Sequence, residues 1–130
     1  MARHEPRPTD AELEILRVMW EEGPGTVRRI HQALVARRAG RPTSYNTTLK
    51  LLQIMHTKGM VDRDTSQRPQ VYRPATTEGR MQQRLVDDLL QRAFGGSARK
   101  LAVALTAADI SDEDLAEIRR LLAKSREEKP

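Results

Sequence analysis

Residues 44–64, Ser-Tyr-Asn-Thr-Thr-Leu-Lys-Leu-Leu-Gln-Ile-Met-His-Thr-Lys-Gly-Met-Val-Asp-Arg-Asp, decide the architecture. Ser44 can cap a helix with its hydroxyl oxygen, and Gly59 can end it. Between them Thr48, Leu51, Leu52 and Met55 recur at helical spacing, which makes one side apolar. Tyr45 is expected to extend that buried stripe by one turn. The opposite side carries Asn46, Thr47, Leu49, Lys50 and Gln53. These side chains form a surface rich in hydrogen-bonding groups and free of acid, which can enter a groove lined with base edges. After Gly59 the pattern changes to alternation. Residues 60–64 and 70–74 read as two short strands joined by the turn-prone Thr65-Ser66-Gln67-Arg68-Pro69, with Pro74 closing the ribbon.

Upstream, Thr9-Asp10-Ala11-Glu12 has the form of a capping box. The helix it opens places Leu13, Leu16 and Trp20 on one side, with Ile15 and Met19 beside them, and Gly23-Pro24-Gly25 ends it. Thr26 can cap a second helix, in which Val27, Ile30, Ala33 and Leu34 form the buried stripe and Arg28, Arg29, Arg37 and Arg38 fall largely outside it. Three helices and a hairpin make a winged helix-turn-helix, with the third helix in the major groove and the hairpin tip on backbone phosphate.

Downstream, Thr77 opens a helix through about Phe94, bearing Met81, Leu85, Leu89 and Leu90. Gly95-Gly96 stops it, and Ser97 can cap a short helix with Leu101, Val103 and Leu105. Ser111 precedes a third, with Leu115, Ile118, Leu121 and Leu122. Three short helices bury too little apolar surface to be stable alone, so a core shared with a second copy is expected, the alternative being folding back on the N-terminal domain. The fold class expected is therefore mainly α with a small β-hairpin: an N-terminal winged helix-turn-helix and a C-terminal three-helix dimerisation region. The domain expectation is a disordered arm over 1–8, a DNA-binding domain over 9–76, a helical dimerisation domain over 77–124 and a charged, fraying tail over 125–130.

Charge supports the same division. The 130 residues carry a formal net charge of +5, but unevenly. Residues 24–76 hold ten basic side chains against Asp62 and Asp64, whereas residues 1–23 hold three against six acids. Crowded like charges repel, and a polyanion relieves that repulsion by releasing its condensed counterions. Four aromatic residues in the chain are too few for a base-stacking single-strand binder. The absence of cysteine excludes disulfides, thiolate chemistry and cysteine-type metal sites, and fits a cytoplasmic address. No apolar run is long enough to span a membrane, and the first ten residues have no secretory apolar core. His4, His31 and His56 are scattered without metal spacing. Asp87-Asp88 and Asp112-Glu113-Asp114 read as solvated faces or caps. No catalytic residue, metal or cofactor is expected, and the chain is not expected to be an enzyme.

Asn46 and Thr47 are the first candidates for base reading, with Leu49, Lys50 and Gln53 beside them; capping is the alternative for the first two, and a phosphate contact or plain solvation for Lys50. If the helical phase is shifted by one position, Leu49 falls in the core. Arg41, Ser44, Lys58, Arg68 and Arg73 are phosphate candidates. Tyr72 reads as a packing residue of the wing. Met81, Leu85, Leu89, Leu90, Phe94, Leu101, Leu105, Leu115, Ile118 and Leu122 are the dimerisation candidates.

The blocks Tyr45-Asn46-Thr47-Thr48, Lys58-Gly59-Met60-Val61, Val71-Tyr72-Arg73-Pro74 and Phe94-Gly95-Gly96-Ser97, after Glu12-Leu13-Glu14-Ile15-Leu16, Met19-Trp20 and Gly23-Pro24, resemble the penicillinase-repressor family of BlaI/MecI/CopY type. The resemblance spans about Pro8 to Leu122. It implies a homodimeric bacterial repressor of a palindromic operator. It also implies derepression by proteolysis in the C-terminal helices, triggered by a membrane metalloprotease-type sensor of beta-lactams. Where the best-studied repressors are cut at an Asn-Phe bond, this chain has Ala104-Leu105, the candidate proteolytic site. The C-terminal cysteine cluster of copper-responsive members is absent. Leu49 stands where resistance repressors place an Arg, so a guanine contact is replaced by one to a thymine methyl or sugar. A regulator with a non-proteolytic trigger, or a basic module for an acidic protein partner, stays open at this point.

Overall fold

The computed structural model describes residues 7–128, apart from the side chains of 126–128. Six helices and one hairpin follow in the order α1 (Asp10–Glu22), α2 (Val27–Arg37), α3 (Tyr45–Thr57), β1 (Val61–Asp64), β2 (Val71–Pro74), α4 (Glu78–Phe94), α5 (Ala98–Ala107) and α6 (Asp112–Glu128). The fold is mainly helical, with a winged helix-turn-helix at its N-terminal end. Two compact units divide between Leu85 and Val86, within α4. Of the arm expected over 1–8, residues 1–6 lie outside the described residues. Helix α6 runs to Glu128, into the tail of 125–130; residues 129–130 lie outside the described residues.

Helix starts follow side-chain chemistry. Thr9 accepts from the Glu12 N–H at 3.2 Å, and the Glu12 carboxylate accepts from the Thr9 N–H at 2.9 Å, completing the capping box. Thr26, Ser44, Thr77, Ser97 and Ser111 each accept one orphan amide of the helix that follows. Gly59, at φ 80°, turns the chain from α3 into β1 in the left-handed region that a side chain disfavours.

The core of the first unit gathers Ile15, Leu16, Val18 and Met19 of α1, Ile30 and Leu34 of α2, and Leu52 and Met55 of α3. Met60, Val61, Tyr72 and Met81 complete it. Each such side chain contributes about 1.5–3 kcal/mol by leaving water. The strands pair antiparallel in the register Val61↔Pro74, Asp62↔Arg73, Arg63↔Tyr72 and Asp64↔Val71. Tyr72 fills the core, as its sequence neighbourhood suggested. It also holds a third, minimal strand: Gly25 and Tyr72 exchange two backbone hydrogen bonds of 3.1 and 2.8 Å. The Trp20 indole N–H donates to the Thr76 carbonyl at 3.1 Å, tying α1 to the chain leaving the wing.

Two expectations about packing are corrected. Tyr45 does not extend the buried stripe; it is 45% exposed, because it stands in the first turn of α3 with its ring edge-on to His31. Met81, expected at the dimer surface, is 3% exposed and belongs to the first unit's core, with Leu85 half-buried against it. The start of α4 closes the winged domain from which it emerges.

Glu12 is a charged group inside this core, only 1% exposed. Its carboxylate accepts from Lys58 Nζ at 2.9 and 3.2 Å, joining the start of α1 to the end of α3. Burial pushes the Glu12 pKa up, but the Thr9 backbone N–H and the Lys58 ammonium outweigh it and hold the group below its ordinary 4.5. A depressed carboxylate stabilises the fold fully above the unfolded value and ceases to as pH falls through the folded one. Denaturant titrations of wild type should therefore weaken below about pH 4.5, and Glu12→Gln should show a shallower acid loss. Lys58→Ala should cost about 3 kcal/mol, the low end for breaking a buried pair, because the lysine side chain is 33% exposed.

Candidate nucleic-acid interface

Helix α3 turns Thr48, Leu52 and Met55 inward and leaves Asn46, Thr47, Lys50 and Gln53 exposed. Leu49 is half-buried at the edge of that face. No acid occurs in the helix. The outward side is therefore one of amide, hydroxyl and ammonium groups, at the spacing of consecutive turns. Ser44 accepts from the Thr47 N–H at 3.1 Å, and the two hydroxyls lie 2.8 Å apart. When Thr47 donates in that pair, the Ser44 proton is left to point at an anion.

The wing is organised by Asp64. Its carboxylate accepts from the Ser66 N–H at 2.9 Å, the Ser66 hydroxyl at 2.6 Å and the Gln67 amide at 3.0 Å. The Ser66 hydroxyl, then Gln67 and the Ser66 amide, hold the Asp64 pKa below its ordinary value. This turn leaves Arg68 exposed at the tip. Arg73, itself exposed, lies 3.9 Å from the half-buried Asp64, a loose contact.

The structure revises the basic region. Its ten cations do not form one uncompensated field, because the acids of α1 discharge part of it. Arg38 donates two bonds to Glu14, at 3.0 and 2.8 Å. The Arg38 hydrogen bond holds the Glu14 carboxyl below its ordinary value, against the opposing effect of burial. Arg37 lies 2.7 Å from Glu21 and 2.9 Å from Glu22. Arg29 donates to the Glu22 carbonyl at 3.1 Å. Lys58, a phosphate candidate from the sequence, has its ammonium on Glu12. Among the described residues, no ion pair engages Arg28, Arg41, Lys50 or Arg68. Of these four, Arg28 stands in the first turn of α2, Arg41 follows α2, Lys50 is on the outer face of α3 and Arg68 is at the wing tip.

Sequence reasoning saw Glu12 only as a cap. Its ion pair with Lys58 spans 46 residues and has no local signal. His31 was likewise set aside, yet its Nδ1 lies 2.9 Å from the buried hydroxyl of Thr48.

In the second unit no residue from Val86 to Ser125 is fully buried. Val86, Leu89, Val103, Leu105, Leu121 and Leu122 are exposed, Val103 by 62% and Leu122 by 65%. Leu90, Phe94, Leu101, Leu115 and Ile118 are half-buried. Ala104 is exposed beside Leu105 on α5. Among the described residues no helix is long and apolar enough to cross a membrane.

The family model of the penicillinase repressor matches residues 8–124. This chain belongs to the penicillinase repressor family. As a member it is a DNA-binding transcriptional repressor. Over 116 residues it is 28% identical to the transcriptional regulator BlaI of Mycobacterium tuberculosis, in both strain CDC 1551 / Oshkosh and strain ATCC 25618 / H37Rv. That match covers 88% of this chain and 82% of the relative. A MarR family protein from Bacillus stearothermophilus is a more distant likeness. It has a TM-score of 0.47 and 22% identity, covering 95% of this chain and 76% of that one.

The pairing pattern separates cations that shape the scaffold from cations left for an anionic partner. Lys50→Ala or Arg68→Ala should each flatten the dependence of log K on log salt by about one unit on any duplex. Arg37→Ala should change the slope less than either, since its charge already faces Glu21 and Glu22. Fluorescence anisotropy across a salt series would measure all three.

Proposed function

We propose that this chain represses transcription as a homodimer seated on a two-fold symmetric operator, where it excludes polymerase from a promoter. The observation that carries this is the acid-free outer face of α3, flanked by Arg28, Arg41 and Arg68, which make no ion pair among the described residues. In this reading Asn46, Thr47, Leu49, Lys50 and Gln53 meet base edges. Asn suits adenine, Thr offers a hydroxyl and a methyl, and Leu49 meets a thymine methyl or sugar. Arg41, Ser44, Arg68 and Arg73 meet phosphate. Lys58 moves from the phosphate set to the scaffold, because taking it from Glu12 would leave a buried carboxylate unpaired.

Residues 9–76 serve as the reading head and 77–124 as the dimerisation region, with Leu89, Leu90, Phe94, Leu101, Leu105, Leu115, Ile118 and Leu122 at its apolar contacts. Exposed apolar side chains on all three helices support a shared core, since an isolated segment of this size is poorly stabilised. Two-fold protein symmetry then requires a palindromic site. The setting is cytoplasmic, without membrane insertion of this chain, and the chain itself performs no catalysis.

Release follows from cutting in α5 at Ala104-Leu105, downstream of a membrane metallopeptidase sensor. The exposure of both residues supports access. Their place inside a hydrogen-bonded helix means that the segment must open locally before a protease can bind it extended. That requirement favours, as the second reading, a trigger that separates the dimer without proteolysis.

Binding of the purified chain to its own upstream promoter fragment, compared with a scrambled duplex, tests the proposal. Operator preference with a two-fold footprint is expected; equal binding to both duplexes, or binding to an acidic protein instead, overturns it. Thr47→Ala should reduce discrimination by about 1–3 kcal/mol. Leu89→Asp should convert a dimer to a monomer in sedimentation and abolish the two-fold footprint, leaving weak half-site binding.

A further inference from the structure

We propose that His31, on α2, is a positioning residue that sets how α3 presents Asn46 and Thr47. The inference rests on α3 being the reading helix. His31 touches that helix at two places. Its Nδ1 lies 2.9 Å from Thr48 Oγ1. Its ring stands edge-on to Tyr45, with centroids 5.8 Å apart and planes at 81°. Residues 45 and 48 bracket Asn46 and Thr47, so one imidazole grips the first turn on both sides of the proposed readers.

The grip has a chemical reason. Thr48 is 0% exposed, so its hydroxyl cannot turn to water. Among the described residues the hydroxyl makes one other hydrogen bond, to the Ser44 carbonyl at 3.4 Å, the usual backward bond of a helical threonine. When the hydroxyl donates to Ser44, Nδ1–H donates to the hydroxyl; when it donates to Nδ1, the ring accepts. The same Ser44 caps α3 and bonds to the Thr47 hydroxyl, so a shift at Thr48 is transmitted to Thr47 through residue 44. Without the imidazole, apolar packing along Leu52 and Met55 still holds α3 in place. That packing is non-directional and leaves the first turn free to slip about the helix axis. Base reading depends on that angle; phosphate attraction does not.

The test measures the ratio of affinities for the promoter fragment and a scrambled duplex, using the whole 130-residue chain. His31→Leu and Thr48→Val should each lower that ratio by about tenfold, and the double variant should lose no more than either alone. His31→Asn, which keeps a hydrogen-bonding atom near Nδ1, and Thr48→Ser, which keeps the hydroxyl, should restore most of it. Affinity for the scrambled duplex and the salt slope should stay at wild-type values. Thermal melts establish that the variants fold. If His31→Leu does not, the Thr48→Val and Thr48→Ser pair decides. An unchanged ratio in folded variants, additive losses, or an equal fall on both duplexes overturns the role of His31. Failure of wild type itself to prefer the promoter fragment overturns the reading-helix assignment and this role with it, and is seen before any variant is made.

Discussion

Burial of one side of α3 is the constraint on which everything else in the winged unit rests. Thr48, Leu52 and Met55 leave water together, and a helix cannot turn one face inward without committing the opposite face to solvent. The apolar contacts fix the axis of α3 but are tolerant of small rotations. Directional contacts at its two ends remove that tolerance. His31 holds the first turn through Thr48, and Glu12 holds the last through Lys58. The helix is thus packed along its length and pinned at both ends.

The acids of α1 give the charge pattern a purpose that net charge hides. Each base that pairs with Glu12, Glu14, Glu21 or Glu22 is removed from the field that an anionic ligand would feel. Such pairs contribute modestly to stability where they are exposed. Their larger effect is on where positive potential remains. A uniformly basic domain would attract any polyanion in any orientation. Cations left at the start of α2, after it, on α3 and at the wing tip would attract one in a defined orientation.

The two units differ in how they satisfy their apolar residues. The first completes its core within one chain, borrowing Met81 from the beginning of α4. The second, from Val86 on, leaves leucine or valine in water on every one of its helices. Buried area is what stabilises short helices, and the proposed second copy of the chain would supply it. The division within α4 places the change from buried to exposed apolar side chains inside one helix.

The sequence by itself determined the order of elements, because helix periodicity, capping residues and the glycine after α3 are local signals that act over a few residues. It also determined the outward face of α3 and the family resemblance. Tertiary structure alone decided which charges are free, since the partners of Lys58 and Arg38 lie 46 and 24 residues away. It alone moved Met81 into the winged core and Tyr45 out of it, and it alone brought His31 to Thr48. Periodicity says which side of a helix is apolar; only the packing of one helix on another says what that side meets.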